Sequence, residues 1–261
     1  MEVVVVPSKQ DGSELVAGAI ADLLNRKPTA VLGLATGSTP LGVYDDLVRR
    51  YDAGEVSFAD AKGFALDEYV GLPANHPESY RAVIKREIAE RVNFAPDSVH
   101  GPDGWASDIP AACAAYEEAI IAAGGIDLQI LGVGTDGHIG FNEPMSSLAS
   151  LTRIKTLTEQ TREDNARFFD DDLSQVPTHV LTQGVGTILR AGHLVLLAWG
   201  ENKADAVRDT VEGPVTSMIP STALQLHPHA TVVVDEAAAS KLANRDHFKW
   251  TYANKPAWQG L

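Results

Sequence analysis

The segment IDLQILGV, residues 126–133, runs directly into GTDGHIGFNEP, residues 134–144. The first part is a continuous apolar run, which is typical of a strand buried on both faces of a parallel sheet. The second part is rich in glycine and carries Asp136, His138 and Glu143. A buried strand followed by a polar loop predicts an α/β fold whose chemistry lies at the carboxyl end of the sheet.

The same alternation of strand and helix extends over the rest of the chain. Further strands are predicted at Val3–Val6, Ala30–Ala35, Lys62–Leu66, Ile154–Leu157, His179–Leu181, His193–Ala198 and Ala230–Val234. Helices are predicted to end near Arg26 and to cover about Leu41–Tyr51, Glu78–Val92, Ile109–Ala123, Gln183–Arg190 and Lys203–Val211. The sequence contains no repeat, linker or low-complexity tract. It therefore predicts one α/β domain over residues 1–261, with a Rossmann-like, open, parallel-rich sheet and helices on both faces.

Composition excludes several classes of protein. The 261 residues include 35 Asp+Glu and 21 Lys+Arg, a formal net charge of −14, so we expect neither nucleic acid nor an anionic membrane as a partner. A hydrophobic content of 44% argues against disorder, and one cysteine, Cys113, excludes a disulfide framework. MEVVVVPSKQ, residues 1–10, lacks a basic leader and predicts a first strand, and no apolar run approaches the ~20 residues of a membrane span. We therefore expect a cytoplasmic protein.

The loop Thr36–Gly37–Ser38–Thr39 lies between a predicted strand and a predicted helix. Hydroxyl groups beside the free N–H groups of a helix N-terminus suit a phosphate or a carboxylate. The alternative is a capped turn of the kind that any α/β protein needs. No Gly-Lys-Ser/Thr follows, so the loop is not a Walker motif.

Asp67 lies in Asp67–Glu68–Tyr69, at the end of another predicted strand. A carboxylate in that position can act as a general base when the pocket partly desolvates it. A solvated helix cap is the alternative.

The glycine-rich loop contains a formal G-x-G-x-x-G at Gly132, Gly134 and Gly137. A dinucleotide site is not predicted, because Gly140 and Pro144 interrupt the helix that should open there. Carboxylates beside a histidine can fix one tautomer of the imidazole and produce a proton shuttle near neutral pH. A metal site and a purely structural loop are the alternatives, although one histidine matches neither a zinc protease motif nor a facial triad.

Two basic side chains stand at positions where an anion could bind. Arg167 lies in DNARFF, residues 164–169, and Lys203 begins a helix after the turn that follows Trp199. A cation at a strand-end turn can hold an anion, whereas an Arg on an exposed helix is more often only solvated.

Taken together, these segments resemble the glucosamine-6-phosphate deaminase family. The resemblance covers nearly the whole chain, in the order LGLATGSTPLGVYDDL, FALDEYVGL, HPESYR, ILGVGTDGHIGFNEP, TRIKTLT, DNARFF and SMIPSTALQ. It implies a reaction without metal or cofactor, in which glucosamine 6-phosphate and water give fructose 6-phosphate and ammonia. By the resemblance, His138 assists ring opening, Asp136 and Glu143 orient it, and Asp67 moves a proton from C2 to C1. The phosphate contacts that it implies are Ser38, Thr39, Arg167 and Lys203.

The resemblance also implies regulation. A mobile lid would cover about residues 157–178 and bring Arg167 to the phosphate. Some members are hexamers activated by N-acetylglucosamine 6-phosphate at a subunit interface. Matching residues for this second site are Ser146, Ser147, Arg153, Lys155 and Thr156, with Tyr252 as a C-terminal candidate. We therefore expect a homo-oligomer, of which a hexamer is one form, and activation by this effector.

Two other functions share the fold that the resemblance implies. A 6-phosphogluconolactonase needs no base at C2, so Asp67 separates the two enzymes. A sugar-phosphate-sensing domain of a regulator would require a DNA-binding partner domain, and the sequence carries no helix-turn-helix and no basic patch.

Overall fold

The computed structural model describes residues 1–73 and 75–261, which form two sheets with flanking helices. The strands are β1 (Glu2–Val6), β2 (Val31–Leu34), β3 (Lys62–Ala65), β4 (Asp67–Tyr69), β5 (Val99–His100), β6 (Leu128–Gly132), β7 (Arg153–Thr156), β8 (His179–Thr182), β9 (His193–Ala198) and β10 (Ala230–Asp235). The helices are α1 (Lys9–Arg26), α2 (Leu41–Asp52), α3 (Tyr80–Ile84), α4 (Ile109–Ala122), α5 (Glu159–Ala166), α6 (Val185–Ile188), α7 (Ala204–Glu212) and α8 (Arg245–Ala253). Among these, no helix is both long and apolar enough to cross a membrane.

The larger sheet is parallel and has the strand order β1-β10-β9-β6-β2-β3-β5. From β2 the chain continues to β3 and β5, whereas from β6 it continues in the opposite direction to β9 and β10. The neighbouring strands β2 and β6 therefore form the switch point of the sheet. The loops leaving such a pair diverge and open a crevice between them.

Helices lie on both faces because the connections run in two directions across the sheet. The β1–β2 and β2–β3 connections run one way, and their helices α1 and α2 pack against each other. The β9–β10 connection runs the other way and contains α7. Since such crossovers are right-handed, opposite directions place α7 on the other face from α1 and α2. The predicted Rossmann-like α/β domain is confirmed.

The second sheet is antiparallel and has the order β4-β8-β7. Only Leu66 separates β3 from β4, so the chain passes from the large sheet to the small one within one residue. Asp67 is the first residue of β4 and pairs with Thr182. This junction was not predicted, because three residues of sequence DEY carry no alternating pattern.

Most predicted elements are confirmed to within a few residues, and β9 matches its predicted bounds. The single helix predicted over Glu78–Val92 is wrong. Ser79 caps α3 by accepting from the Ala82 N–H, and after five residues the chain widens into a π-turn at Lys85–Ala89. The helix predicted over Gln183–Arg190 is reduced to the single turn α6, because Gln183 still extends the β8 edge by donating its N–H to the Leu66 carbonyl.

The core follows the burial pattern of the central strands. All six residues of β9 are buried, as are five of the six in β10. A smaller apolar cluster lies under the segment after β7 and comprises Tyr69, Leu72, Phe141, Leu157, Ala166, Phe169, Val176 and Val180. Both clusters contribute residues to the wall of the site described next.

Candidate functional site

A cleft of about 560 Å³ opens where the loops after β2 and β6 diverge. The residues 36–39 form one wall, and residues 132–135 with His138 form another. Asp67 lies in the cleft from β4, and Arg167 and Lys203 line it as well. The structure thus brings together six of the eight predicted catalytic and phosphate-binding residues, with Ser38 and Thr39 completing this set.

Ser38 and Thr39 lie immediately before α2, where backbone N–H groups have no partner within the helix. Among the hydrogen bonds that the structure describes, none is donated by the backbone N–H of Gly37, Ser38 or Thr39. The positive end of the helix and these free donors favour an anion in the cleft.

Lys203 and Arg167 supply positive charge to the same region. Lys203 lies at the end of the 3₁₀ turn Glu201–Lys203, and burial lowers its pKa while the nearby Asp136 and Asp164 oppose that shift. Arg167 follows α5 and places its guanidinium carbon 4.7 Å from the centre of the Phe168 ring. Two cations beside a helix N-terminus form an arrangement suited to a phosphate.

Asp67 is 5% exposed. Burial raises the pKa of its carboxyl well above the ordinary value, and the neighbouring charge of Glu68 raises it further. A carboxyl with a raised pKa is a better base once ionised, because desolvation makes its charged form reactive. The environment of Asp67 therefore favours a proton-transfer role over the alternative of a solvated cap.

Glu68 is a part of the site that the sequence did not reveal. Its carboxylate accepts the backbone N–H groups of Tyr69, Tyr80 and Arg81 at 2.8, 3.0 and 2.9 Å. It thereby holds the start of α3 against β4 while its charge acts on Asp67. Only the adjacent acidic pair in the sequence hints at this arrangement.

His138 forms a pair with Asp136. The Nδ1 atom of His138 lies 2.7 Å from Oδ1 of Asp136, which also accepts the His138 backbone N–H at 3.2 Å. Burial raises the pKa of Asp136, but the hydrogen bonds and charge of His138 outweigh that effect and hold the pKa below its ordinary value. A Cβ on Gly134 would lie 2.2 Å from the imidazole, so glycine is needed for the ring to lie against the backbone.

Glu143 has different partners from those that the sequence suggested. Its buried carboxylate accepts the Thr161 hydroxyl at 2.6 Å and the Thr158 hydroxyl at 3.2 Å. Thr158 is the N-cap of α5, and its backbone N–H also points to Glu143. The structure therefore joins Glu143 to the start of α5 and leaves Asp136 as the partner of His138.

A second cavity of about 340 Å³ adjoins the cleft behind the His138–Asp136 pair. Glu143 and Lys155 lie in its wall, and His138 borders both cavities. Of the residues suggested for an effector site, Lys155 alone is part of this wall.

The other suggested effector residues lie around the same strand. Arg153 donates from Nη1 to Oδ1 of Asn142 at 2.8 Å, and burial lowers its pKa. Ser146 is buried, and its hydroxyl has no partner among the described residues. Ser147 and Thr156 are exposed. Arg153 and Lys155 share one face of β7, as their alternation predicts.

Tyr252 lies elsewhere in the chain. It lies near the end of α8, with the Lys255 ammonium 4.5 Å from its ring centre, and Lys255 forms an ion pair with Glu2 at the start of β1. Burial and the charge of Glu2 raise its pKa. This end of the sheet is opposite the carboxyl ends that bear the cleft, so within one chain Tyr252 is remote from β7.

The segment 157–178, predicted to be a mobile lid, contributes part of the cleft wall between Gln160 and Phe169. It consists of α5, a turn and the 3₁₀ turn Leu173–Gln175, and four of its apolar residues, Leu157, Ala166, Phe169 and Val176, belong to the smaller cluster. Asn165 also donates to the Tyr69 hydroxyl at 2.9 Å. Movement of this segment stays a prediction.

No group of three or more His, Cys, Asp or Glu side chains with metal-binding geometry occurs in the described part of the chain. Asp136, Glu143 and Glu68 are instead bonded to histidine, threonine and backbone donors, respectively.

Comparison with known proteins gives a consistent result. The family described as glucosamine-6-phosphate isomerases/6-phosphogluconolactonase matches residues 8–234. The glucosamine-6-phosphate deaminase of Beutenbergia cavernae is 66% identical over 261 residues, covering 100% of both chains. That of Mycolicibacterium smegmatis is 65% identical with the same coverage.

Solved structures of the two enzymes named in the family differ in how similar they are to this chain. A structure described as a monomeric glucosamine-6-phosphate deaminase has a TM-score of 0.90 and 41% identity, and covers 92% of this chain and 100% of its own. The 6-phosphogluconolactonase from Trypanosoma cruzi has a TM-score of 0.73 at 19% identity, over 93% of this chain and 97% of its own. At this sequence identity, the similarity to the 6-phosphogluconolactonase shows a shared fold and no more.

Proposed function

The chain belongs to the family of glucosamine-6-phosphate isomerases and 6-phosphogluconolactonases, and from this membership and the geometry of the cleft we propose that it deaminates and isomerises glucosamine 6-phosphate. The products are fructose 6-phosphate and ammonia, and one water is consumed. The observation that carries the proposal is Asp67, a buried carboxyl of raised pKa that shares a cleft with His138 and the phosphate-binding set.

His138 opens the sugar ring. Asp136 accepts the Nδ1 proton, which leaves Nε2 as the atom that exchanges protons in the cleft. Nε2 takes the proton of the anomeric hydroxyl and returns a proton to the ring oxygen as the C1–O5 bond breaks. One imidazole can do both, because Nε2 accepts a proton when the ring is neutral and donates it once the ring is protonated.

Asp67 then moves a proton between carbons. The carboxylate removes the C2 proton of the open-chain sugar, which forms an enolamine, and delivers it to C1. The resulting ketose imine adds water at C2 and expels ammonia. This second half is a hydrolysis, so the proposed enzyme is both an isomerase and a hydrolase. Because the pKa of Asp67 is raised, its carboxylate is a stronger base for removing a proton from carbon than an exposed carboxylate would be.

The phosphate end of the substrate binds at Ser38, Thr39, Arg167 and Lys203, beside the α2 N-terminus. Closure of segment 157–178 would bring Arg167 onto the phosphate and exclude water. The contact of Glu143 with Thr158 and Thr161 supports this role, because it joins the catalytic loop to the lid helix.

We propose regulation as a further part of this function. N-acetylglucosamine 6-phosphate would bind near Arg153 and Lys155 and activate a homo-oligomer, of which a hexamer is one form. The similar solved structure described as monomeric makes the oligomeric state a direct test. Light scattering should give a mass above that of one chain, and the effector should shift the substrate curve to lower concentration. A monomer with an unchanged curve would refute this part alone.

We also propose that the enzyme works in the cytoplasm. A sugar phosphate is charged and does not cross a bilayer unaided, so an enzyme that consumes it belongs in the compartment where it forms.

The decisive assay incubates the protein with glucosamine 6-phosphate and a chelator. We expect ammonia and fructose 6-phosphate in equal amounts. Absence of both products would refute the proposal, and loss of activity only with the chelator would refute a metal-free reaction.

The lactonase alternative has its own readout. Asp67→Asn should abolish release of ammonia, since no other group would transfer the C2 proton. The lactonase would be favoured if the unmodified protein released no ammonia and Asp67→Asn still hydrolysed 6-phosphogluconolactone.

A further inference from the structure

Trp199 contacts the loop Thr36–Thr39, and this contact has no part in the roles proposed above. It directly follows β9 and stands four residues before Lys203. Its indole Nε1 donates to the Thr39 carbonyl oxygen at 3.1 Å. One hydrogen bond therefore ties the loop after β2 to the turn that carries Lys203.

The indole is held in place from the other side by α1. A Cβ on Gly12 would lie 2.4 Å from Cη2 and 2.8 Å from Cζ3 of Trp199, so the far edge of the ring rests on the helix backbone. An aromatic ring seated on a glycine has little room to turn, and its N–H direction is fixed.

Lys9, in the first turn of α1, holds the neighbouring carbonyl. Its Nζ donates to the Ser38 carbonyl oxygen at 3.1 Å. The two consecutive carbonyls of the loop are thus each held by a donor from outside the loop, Ser38 by Lys9 and Thr39 by Trp199.

Holding these carbonyls orients the donors of the loop. In a trans peptide the C=O and the following N–H point in opposite directions. A Ser38 carbonyl directed at Lys9 therefore turns the Thr39 N–H away from Lys9, and Pro40 offers no N–H after the second carbonyl. Fixing both peptide planes removes the entropy that the loop would otherwise lose when an anion binds.

We propose that Trp199 and Lys9 are positioning residues for the substrate phosphate. They hold the Ser38–Thr39 loop in its binding conformation, and Trp199 sets its spacing from Lys203. The assignment rests on the proposed function for the identity of the phosphate ester, but the anion site itself is testable without turnover.

The first test replaces Trp199 by Phe, which keeps an aromatic ring and removes the N–H donor. We expect KM for glucosamine 6-phosphate to rise about fivefold, the cost of one hydrogen bond, with kcat within twofold and an unchanged pH profile. The matched control is Trp250→Phe on the exposed face of α8, which should leave both constants unchanged. A kcat loss with unchanged KM, or no change in either, would overturn the role of Trp199.

The second test uses Lys9, whose exposed position makes misfolding of a variant unimportant. Lys9→Met should raise KM severalfold, and Lys9→Arg, which retains a donor, should restore it. Lys62→Met removes the same charge at the opposite end of the sheet and should have no effect. If Trp199→Phe does not fold, this series decides the proposal, and equal KM values across it would overturn it.

A binding measurement separates this proposal from the proposed reaction. Inorganic phosphate should change the tryptophan emission of the unmodified protein and of Trp250→Phe but not of Trp199→Phe. Phosphate should also protect Trp199→Phe from thermal unfolding with a dissociation constant about fivefold weaker. If the unmodified protein gives this result but has no deaminase activity, the proposed reaction is refuted and the positioning role is supported. If the enzyme is active but the unmodified protein and Trp199→Phe bind phosphate equally well, the reaction is supported and the positioning role is refuted.

Discussion

Three acidic side chains near the cleft have different surroundings, and the surroundings determine what each can do. Asp67 is buried and its pKa is raised, whereas Asp136 is bonded to His138 and its pKa is lowered. Glu68 is also buried, but three backbone donors hold its carboxylate in place. The same functional group, a carboxyl, is thus proposed to act as a base at Asp67 and as an orienting group at Asp136, while at Glu68 it anchors the backbone.

Asp67→Asn should unfold at higher temperature than the unmodified protein at pH 8. Burial makes the folded state favour the protonated carboxyl, so the ionised carboxylate destabilises the fold as the pH rises through its raised pKa. We expect a gap in Tm of about 2 to 4 °C at pH 8 that closes as the pH falls towards 4, measured by calorimetry. A gap that grows on acidification would contradict the assigned direction of the shift.

Asp136→Asn should lower kcat about 100-fold with a small change in KM. The amide would present a donor to Nδ1 in place of an acceptor, so His138 would adopt the tautomer with its proton on Nε2. Steady-state ammonia release checks this, and circular dichroism checks the fold. Retention of more than half the activity would show that Asp136 does not orient the imidazole.

Residue types and their order predicted a site at Asp67, Asp136, His138 and the loop before α2. The structure places Asp67, His138 and this loop around one cleft, with Asp136 bonded to His138, and their chemical roles stay predictions. The partner of Glu143 was not predictable, because Thr158 and Thr161 reach it only through the packing of α5. Long-range hydrogen bonds of this kind leave no local pattern in the sequence.

At the scale of elements, α5 is joined to the site by its first turn. The Thr158 hydroxyl accepts the Thr161 N–H at 3.2 Å and also bonds to Glu143. The sequence predicted a lid here but no helix, since the segment is strongly polar and shows no apolar stripe. Its helix exists because it is capped and because its few apolar residues pack under it.

Thr158→Ala should loosen this helix. Loss of an N-cap costs about 1 kcal/mol, so amides of residues 159–166 should exchange with deuterium about fivefold faster. KM should rise as well, because the segment that carries Arg167 is closed for a smaller fraction of the time. Thr251→Ala, on the exposed surface of α8, is the matched control, and equal exchange in both variants would contradict the capping role.

The elements that the sequence missed share a physical cause. β4, β5 and α8 are three, two and nine residues long and have no periodic apolar pattern that would set them apart from loops. Tertiary pairing forms them: β4 with β8, β5 with β3 and α8 against β1. The long buried strands needed no such context.

For the whole molecule, His193, at the amino end of the sheet, should make stability depend on pH. His193 stacks on His229 with ring centres 3.6 Å apart and bonds Thr231. Burial, together with His229, His227 and Lys255, lowers its pKa from 6.5 to about 4. The folded state therefore keeps His193 neutral while the unfolded chain takes up a proton.

Stability should accordingly fall as the pH drops from 6.5 to about 4. The loss attributable to His193 is at most about 3 kcal/mol, from the difference between its folded and unfolded pKa. His193→Gln, which retains a hydrogen-bonding group for Thr231, should show a shallower loss in urea unfolding across this range. Equal slopes for both proteins would assign the acid sensitivity to other groups.

The net charge of −14 also acts at this scale. The proposed substrate is an anion, so the molecule must attract it locally against its overall field. We propose that Arg167 and Lys203, which line the cleft, do so beside the helix N-terminus. Salt screens little over such short distances, whereas repulsion from charges beyond roughly 10 Å is screened.

Within residues 1–73 and 75–261, β1 pairs with the last strand, β10, and with no other strand. β1 lies at the edge of the sheet beside β10, with Glu2 opposite Thr231. During synthesis the apolar run Val3–Val6 therefore stays unpaired until β10, about 230 residues later, has been made. At ordinary translation rates this takes roughly 10 to 45 seconds. The nascent chain thus exposes an unpaired, aggregation-prone strand for most of its synthesis.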